Sequence, residues 1–269
     1  MKGIDELLGS ENTWQTTMGK WFAGERVVFR GKDLHHELGH MSWLELYLFS
    51  ITGKEYTRAQ LTVLNAIWTF TSFPDPRLWN NRVTALAGTA RSTPTLALSA
   101  GMAMSEATIF GHKPSVRAIS FIKKAKRLCD EGQDIKAIIE MELQDRRVIG
   151  GFGRPLYRSD ERISHLLRVV KENDMDKGPH VSLAFEVERQ LLAGRWRMRM
   201  NIAGFGAAIA ADLDFSPREF HLFKVPCFIA GMVPCFVEAQ QKTEGSFFPF
   251  RCSTIEYKGV ARKKWVEEK

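Results

Sequence analysis

Four cysteines, at positions 129, 227, 235 and 252, are scattered through 269 residues with no CxxC pair and no histidine at metal-ligand spacing. That pattern excludes a disulfide-stapled framework and gives no basis for a metal centre; free thiols in a reducing cytoplasm account for it. Long apolar runs are missing too. The longest, from Ile202 to Ala211, falls well short of the ~20 residues that cross a bilayer. The first residues, Met1-Lys2-Gly3-Ile4-Asp5-Glu6, carry no apolar stretch of the secretory kind. No repeat, low-complexity tract or long linker divides the chain. A cytoplasmic location, no metal and no membrane partner are therefore expected.

What is present is ordinary globular composition, 44% hydrophobic and 26% charged, in a chain long enough for a substantial core. Lys and Arg number 38 against 31 Asp and Glu, a net charge of +7. The excess suits a polyanionic ligand such as a nucleotide-bearing cofactor. Its densest run, Lys123-Lys124-Ala125-Lys126-Arg127, alternates at helical spacing with Ile119, Ile122 and Leu128 and reads as a solvated helix face. No helix pairs a recognition face with the turn that a helix-turn-helix needs, so nucleic acid is not expected as a partner.

Helical periodicity dominates. Helices are expected at 42–51, 57–71, 115–130, 160–173, 179–193, 201–213, 217–223 and 227–241, with Thr57 and Gln60 forming a capping box. Pro74 and Pro76 break the chain after Ser72. Residues 79–107, rich in Ala, Gly and Thr, predict two closely packed helices interrupted near Pro94. The class is all-α, with one short strand at Ile255-Glu256-Tyr257 and a possible smaller lobe over residues 160–235 of a single domain.

The most informative segment is Gly150-Gly151-Phe152-Gly153-Arg154-Pro155-Leu156-Tyr157-Arg158-Ser159-Asp160-Glu161-Arg162. Glycines that allow close backbone approach stand among three forked cations ahead of a helix N-terminus, which reads as an anion site. The segment resembles Gly-Phe-Gly-His-Arg-Val-Tyr-Lys…Asp-Pro-Arg of citrate synthases and citryl-CoA lyases. Gly151, Phe152, Gly153, Tyr157, Asp160 and Arg162 match, and Arg158 replaces a lysine.

The resemblance extends along the chain. Phe29-Arg30-Gly31-Lys32-Asp33, the stretch Gly53 to Leu61, the break from Thr71 to Gly88 and Glu256-Tyr257-Lys258-Gly259 follow the family's motifs in order. The short interval before Pro74 is similar to that of the compact citryl-CoA lyases. The resemblance implies a citrate synthase-like helical fold, a homodimer or a hetero-oligomer with a related subunit, and coenzyme A thioester binding through Gly151, Gly153, Tyr157, Arg158 and Arg162.

The family's acid–base set is replaced. Phe110 stands where the first catalytic histidine belongs, Arg154 at the second, and Met200 or Ala203 at the aspartate base. Ser72 stands where the family has a histidine, and Pro155 and Cys252 where it has carboxylate-binding arginines, with Arg251 adjacent to Cys252. The expected catalytic groups are accordingly His112, Arg154 and Asp75, and the expected substrate contacts Ser72, Phe110, Asn201 and Arg251. Two functions are open: an enzyme making or breaking a carbon–carbon bond between an acyl-CoA and a non-citrate acid or ketone, or an inactive CoA-binding or structural subunit of an active relative.

Overall fold

The computed structural model describes residues 2–154, 159–246 and 251–261. It is helical: α1 (Lys2–Gly9), α2 (Trp43–Thr52), α3 (Arg58–Thr71), α4 (Trp79–Thr89), α5 (Pro94–Ser105), α6 (His112–Asp130), α7 (Ile135–Arg146), α8 (Arg162–Glu172), α9 (Pro179–Ala193), α10 (Ile202–Asp212), α11 (Pro217–Lys224) and α12 (Ile229–Gln241). Strand structure lies near the N-terminus, where β1 (Gly19–Phe22), β2 (Arg26–Phe29) and β3 (Lys32–Asp33) form an antiparallel sheet in that order.

Contacts divide the chain into two compact units, Met1–Phe73 with Ser105–Ala230, and Pro74–Met104 with Gly231–Lys269. The segment 160–235 contributes to both, with residues up to Ala230 in the first and those from Gly231 in the second.

In the first unit α10 is the central helix, packed on α6, α9, α3 and α8. Its sequence, Ile-Ala-Gly-Phe-Gly-Ala-Ala-Ile-Ala-Ala-Asp, is apolar all round, and nine of its residues are buried; a helix without a polar face is stable only when enclosed. Asn201 starts it, its side-chain oxygen accepting from the N–H of Ala203 and Gly204. The small sheet is fastened to α2 by Arg30, whose guanidinium donates to the carbonyls of Ser50 and Ile51 at 2.9 and 3.3 Å, groups that the last turn of a helix leaves open. Phe29 adds an edge contact with Phe49.

In the second unit α4, α5 and α12 approach closely at glycines. A Cβ on Gly88 would lie 2.7 Å from the Phe236 carbonyl oxygen, and one on Gly101 2.4 Å from Thr84 Oγ1. Arg91 draws together the ends of α4 and α12 by donating to the carbonyls of Gly88, Gln240 and Lys242.

One expectation needs correction, and further elements were not foreseen. Ile255–Tyr257 forms no strand: the residues follow a short 3-10 turn at Cys252–Thr254, and Ile255 and Tyr257 are 71% and 76% exposed, so their alternation has no face to bury. The observed strands at 19–33 were not anticipated. Nor was α7, although Asp134 caps it by accepting from Ala137 N–H and Ile138, Ile139 and Leu143 face the core. Among the described residues one tract, Pro217–Gln241, has the length and mean hydropathy (1.7) of a membrane span, and 44% of its apolar stretch is buried.

Candidate active site

The glycine loop comes first because it organises the centre of the first unit. Gly151 and Gly153 have φ of +87° and +84°, a region that side chains disfavour. A Cβ on Gly151 would lie 2.4 Å from the Gly204 Cα, so the loop lies directly on α10. Phe152 bridges Met200 in antiparallel fashion, Asn201 N–H donates to the Gly151 carbonyl at 2.9 Å, and Asn201 Nδ2 donates to the Gly153 carbonyl at 2.9 Å.

Asp160 closes this network. Its carboxylate accepts from Ile202 N–H at 2.8 Å and from Arg162 Nε and Nη2 at 2.7 and 2.8 Å. Burial pushes the Asp160 carboxyl up, but the Arg162 hydrogen bond and charge and the backbone donors outweigh it and hold the group below its ordinary 3.8. Such a carboxylate stabilises the fold above its unfolded-state pKa, and the contribution is lost as pH falls through the folded value. Asp160→Asn is therefore expected to cost about 3 kcal/mol at neutral pH, the low end for a broken buried pair because Arg162 keeps some solvent access. Urea unfolding of both proteins at neutral pH and again at about pH 3.5 checks this. The gap must narrow at the lower pH, and a constant gap refutes the assignment.

Arg154 is occupied by Glu161, Nη1 to Oε2 at 2.6 Å, and by the Ser159 carbonyl at 3.1 Å. Tyr157 and Arg158 lie outside the described residues. Ser72 ends α3, its N–H donating to the Trp68 carbonyl. Asp75 and Arg251 belong to the second unit, where Asp75 is paired with Arg77 at 2.6 Å and Arg251 is exposed. Met200 is a buried core residue at 2% exposure.

A second cluster forms around His112. The helix α6 begins three residues earlier than expected, at His112, with Pro114 tolerated inside the first turn. Gly111 makes that start possible: its φ is +80°, and a Cβ would lie 2.0 Å from the Ser105 carbonyl oxygen. The turn brings His112, only 1% exposed, back against Glu106. Glu106 Oε1 sits 2.9 Å from His112 Nδ1 and 2.7 Å from His221 Nε2. A carboxylate only accepts, so neutral His112 carries its proton on Nδ1 and presents a lone pair on Nε2. That Nε2 is buried with no hydrogen-bond partner among the described residues. Burial lowers the His112 pKa below 6.5, only partly offset by Glu106, so the ring is a neutral base at physiological pH. Burial likewise pushes Glu106 upward, and its hydrogen bonds to His221 and His112 reverse the direction and keep it ionised.

Around the imidazole stand aromatic rings and one cation. Phe228 stacks on His112 with centroids 5.3 Å apart and on Phe110 at 6.0 Å. Lys224, on α11, is 2% exposed, its Nζ 5.8 Å from the Phe228 centroid. Sequence reasoning found His112 and Phe110 but missed Glu106, His221 and Lys224. A readable signal was Lys224 itself, a lone cation in the apolar tract Phe223-Lys224-Val225-Pro226-Cys227-Phe228.

The donor atoms of Glu106, His112 and His221 lie within 4.8 Å of one another, a set that could hold a divalent cation. Their mutual hydrogen bonds already satisfy the two facing ring nitrogens. Elsewhere a surface cleft of about 760 Å³ opens at α2 and α3, bordered by Trp43, Tyr56, Arg58, Asn65 and Trp68. Glu45 and Arg58 are its charged lining residues, and no histidine lines it.

No protein-family profile and no curated protein matches the sequence. Solved structures do match in shape. Citryl-CoA lyase from Hydrogenobacter thermophilus superposes with a TM-score of 0.81 at 18% identity, over 94% of this chain and 97% of that one. ATP citrate lyase from Methanothrix soehngenii, solved in complex with citrate and coenzyme A, gives 0.75 at 16% identity; the match covers 96% of this chain and 44% of that one. Citrate synthase from Thermoplasma acidophilum, in a ternary complex with carboxymethyl coenzyme A and oxaloacetate, gives 0.60 at 16% identity, over 84% and 59%. The chain has the citrate synthase-like helical fold, the fold of these carbon–carbon lyases and synthases.

Proposed function

We propose that this protein acts on an acyl-CoA thioester, cleaving or forming a carbon–carbon bond with a non-citrate acid or ketone as the second reactant. The observation that carries the reading is His112: a buried neutral base, oriented by Glu106, with its second nitrogen unpartnered, in a fold whose solved examples include complexes with coenzyme A and its analogues. The glycine loop and Arg162, with Tyr157 and Arg158, are the proposed coenzyme side.

In the cleavage direction a 3-hydroxyacyl thioester gives its hydroxyl proton to His112 Nε2. The oxygen's electron pair forms the new carbonyl, and the bond between the carbinol carbon and the carbon next to the thioester breaks. Its electrons pass into the thioester as an enolate, and the proton held on His112 returns to that carbon, yielding a shorter acyl-CoA and a ketone or keto acid. Asp75 and Arg154, engaged with Arg77 and Glu161, are less suited to this transfer than His112.

The alternative of a non-catalytic subunit is supported by Met200, a core side chain where the resemblance places the carboxylate base. Mass spectrometry of the purified protein with a panel of 3-hydroxyacyl-CoA thioesters separates the two. Shortened thioester and carbonyl product are expected. Binding without turnover, with turnover seen only beside a copurified relative, supports the subunit reading, and no thioester binding at all rejects the enzyme and the CoA-binding subunit alike.

A further inference from the structure

Lys224 is the only lysine or arginine among the described residues that is fully buried, and no described carboxylate pairs with it. Its contacts among the described residues are weak: Thr71 Oγ1 at 3.5 Å, the Phe228 ring face and the neighbouring Cys227 thiol. The Thr71 hydroxyl already donates to the Ile67 carbonyl at 2.6 Å. The nearby guanidinium of Arg162 is neutralised by Asp160. A buried ammonium with three donors and one long hydrogen bond is costly, and a fold retains such a group where a ligand supplies the missing anion. The second orphan, His112 Nε2, is an acceptor without a donor, and it meets the same Phe228 ring that Lys224 touches.

These two unmet requirements are complementary. We propose that Lys224 and His112 form a subsite for a hydroxy acid with a single carboxylate: the carboxylate lies at the Lys224 ammonium, the hydroxyl donates to His112 Nε2, and an apolar body rests on Phe228 and Phe110. One cation calls for one carboxylate, which sets the ligand apart from a dicarboxylate or tricarboxylate. Lys224 is then the residue that fixes which acid is accepted. The assignment deepens the thioester reading by naming the acid half of the substrate.

The test omits coenzyme A. Calorimetry of the whole protein with mandelate, mandelamide and phenylacetate compares the hydroxy acid with its uncharged and its hydroxyl-free counterparts. Mandelate is expected to bind saturably, at least ~10-fold tighter than mandelamide and ~3-fold tighter than phenylacetate, the scale of one charge-assisted and one neutral hydrogen bond. Lys224→Met is expected to bind mandelamide as before and to lose the preference for the acid, with no fall in its thermal midpoint because an unpaired buried charge has gone. Equal wild-type affinity for acid and amide overturns the subsite, as does Lys224→Met that keeps the preference. If that variant fails to fold, the wild-type comparison decides alone. Thioester cleavage without acid binding rejects the subsite and leaves the acyl-CoA reading standing. Acid binding without any thioester interaction does the reverse.

Discussion

Replacing His112 by glutamine is expected to lower turnover of the acyl-CoA substrate by about 10² to 10⁴-fold, the contribution of a positioned acid–base group. Glutamine keeps a polar contact with Glu106 but has no nitrogen lone pair with which to take a proton. The loss should fall mainly on kcat, with KM raised by no more than the ~3-fold of the ground-state hydroxyl hydrogen bond, because proton transfer itself occurs only in the transition state. The steady-state parameters and the thermal midpoint are measured together. Turnover at the wild-type level would remove His112 from the chemistry, and a large KM rise at constant kcat would recast it as a binding residue.

Gly151→Ala is expected to be a strongly destabilising small substitution, costing about 4 kcal/mol. Roughly 1–2 kcal/mol is the strain of an L-residue at positive φ, and ~1–3 kcal/mol is overpacking of a methyl group 2.4 Å from the Gly204 Cα. Neither backbone can yield alone, since Asn201 N–H and the Gly151 carbonyl tie them together. Gly132 supplies the control. It has the same φ of +87° but nothing within 4 Å of its would-be Cβ, so Gly132→Ala carries the conformational strain alone, ~1–2 kcal/mol. Urea unfolding of both variants isolates the close approach as the difference between them. Equal destabilisation would show that the loop does not need to lie against α10.

The helices were readable wherever a cap preceded an apolar period, as at Thr57 with Gln60 and at Asn201 before the continuous apolar tract of α10. The small-residue packing of α4 and α5 was readable from Ala85, Gly88 and Gly101, though not the part α12 takes in it. The strands at 19–33 were not, because segments of two to four residues whose burial does not alternate leave hardly any period-two signal. At the site, a one-dimensional reading finds residues by resemblance to a motif and so reached Phe110, Arg154 and His112. It cannot find Glu106, His221 and Lys224, which meet His112 and Phe228 through a glycine turn and a helix more than a hundred residues away, an arrangement no local pattern encodes. The glycines and cations of the loop were legible in the same way, but its seating on α10 through Gly204 and Asn201, the latter 48 residues beyond Gly153, was not.

The discontinuous make-up of the second unit bears on how the chain is synthesised. Residues Pro74–Met104 leave the ribosome well before Gly231–Gln241, which complete their packing at Gly88 and Gly101 and receive the Arg91 guanidinium. At ordinary elongation rates the delay is on the order of ten seconds. For that time the Ala- and Gly-lined faces of α4 and α5 lack the segment they are shaped for, a window in which a chaperone or a neighbouring nascent chain can reach them.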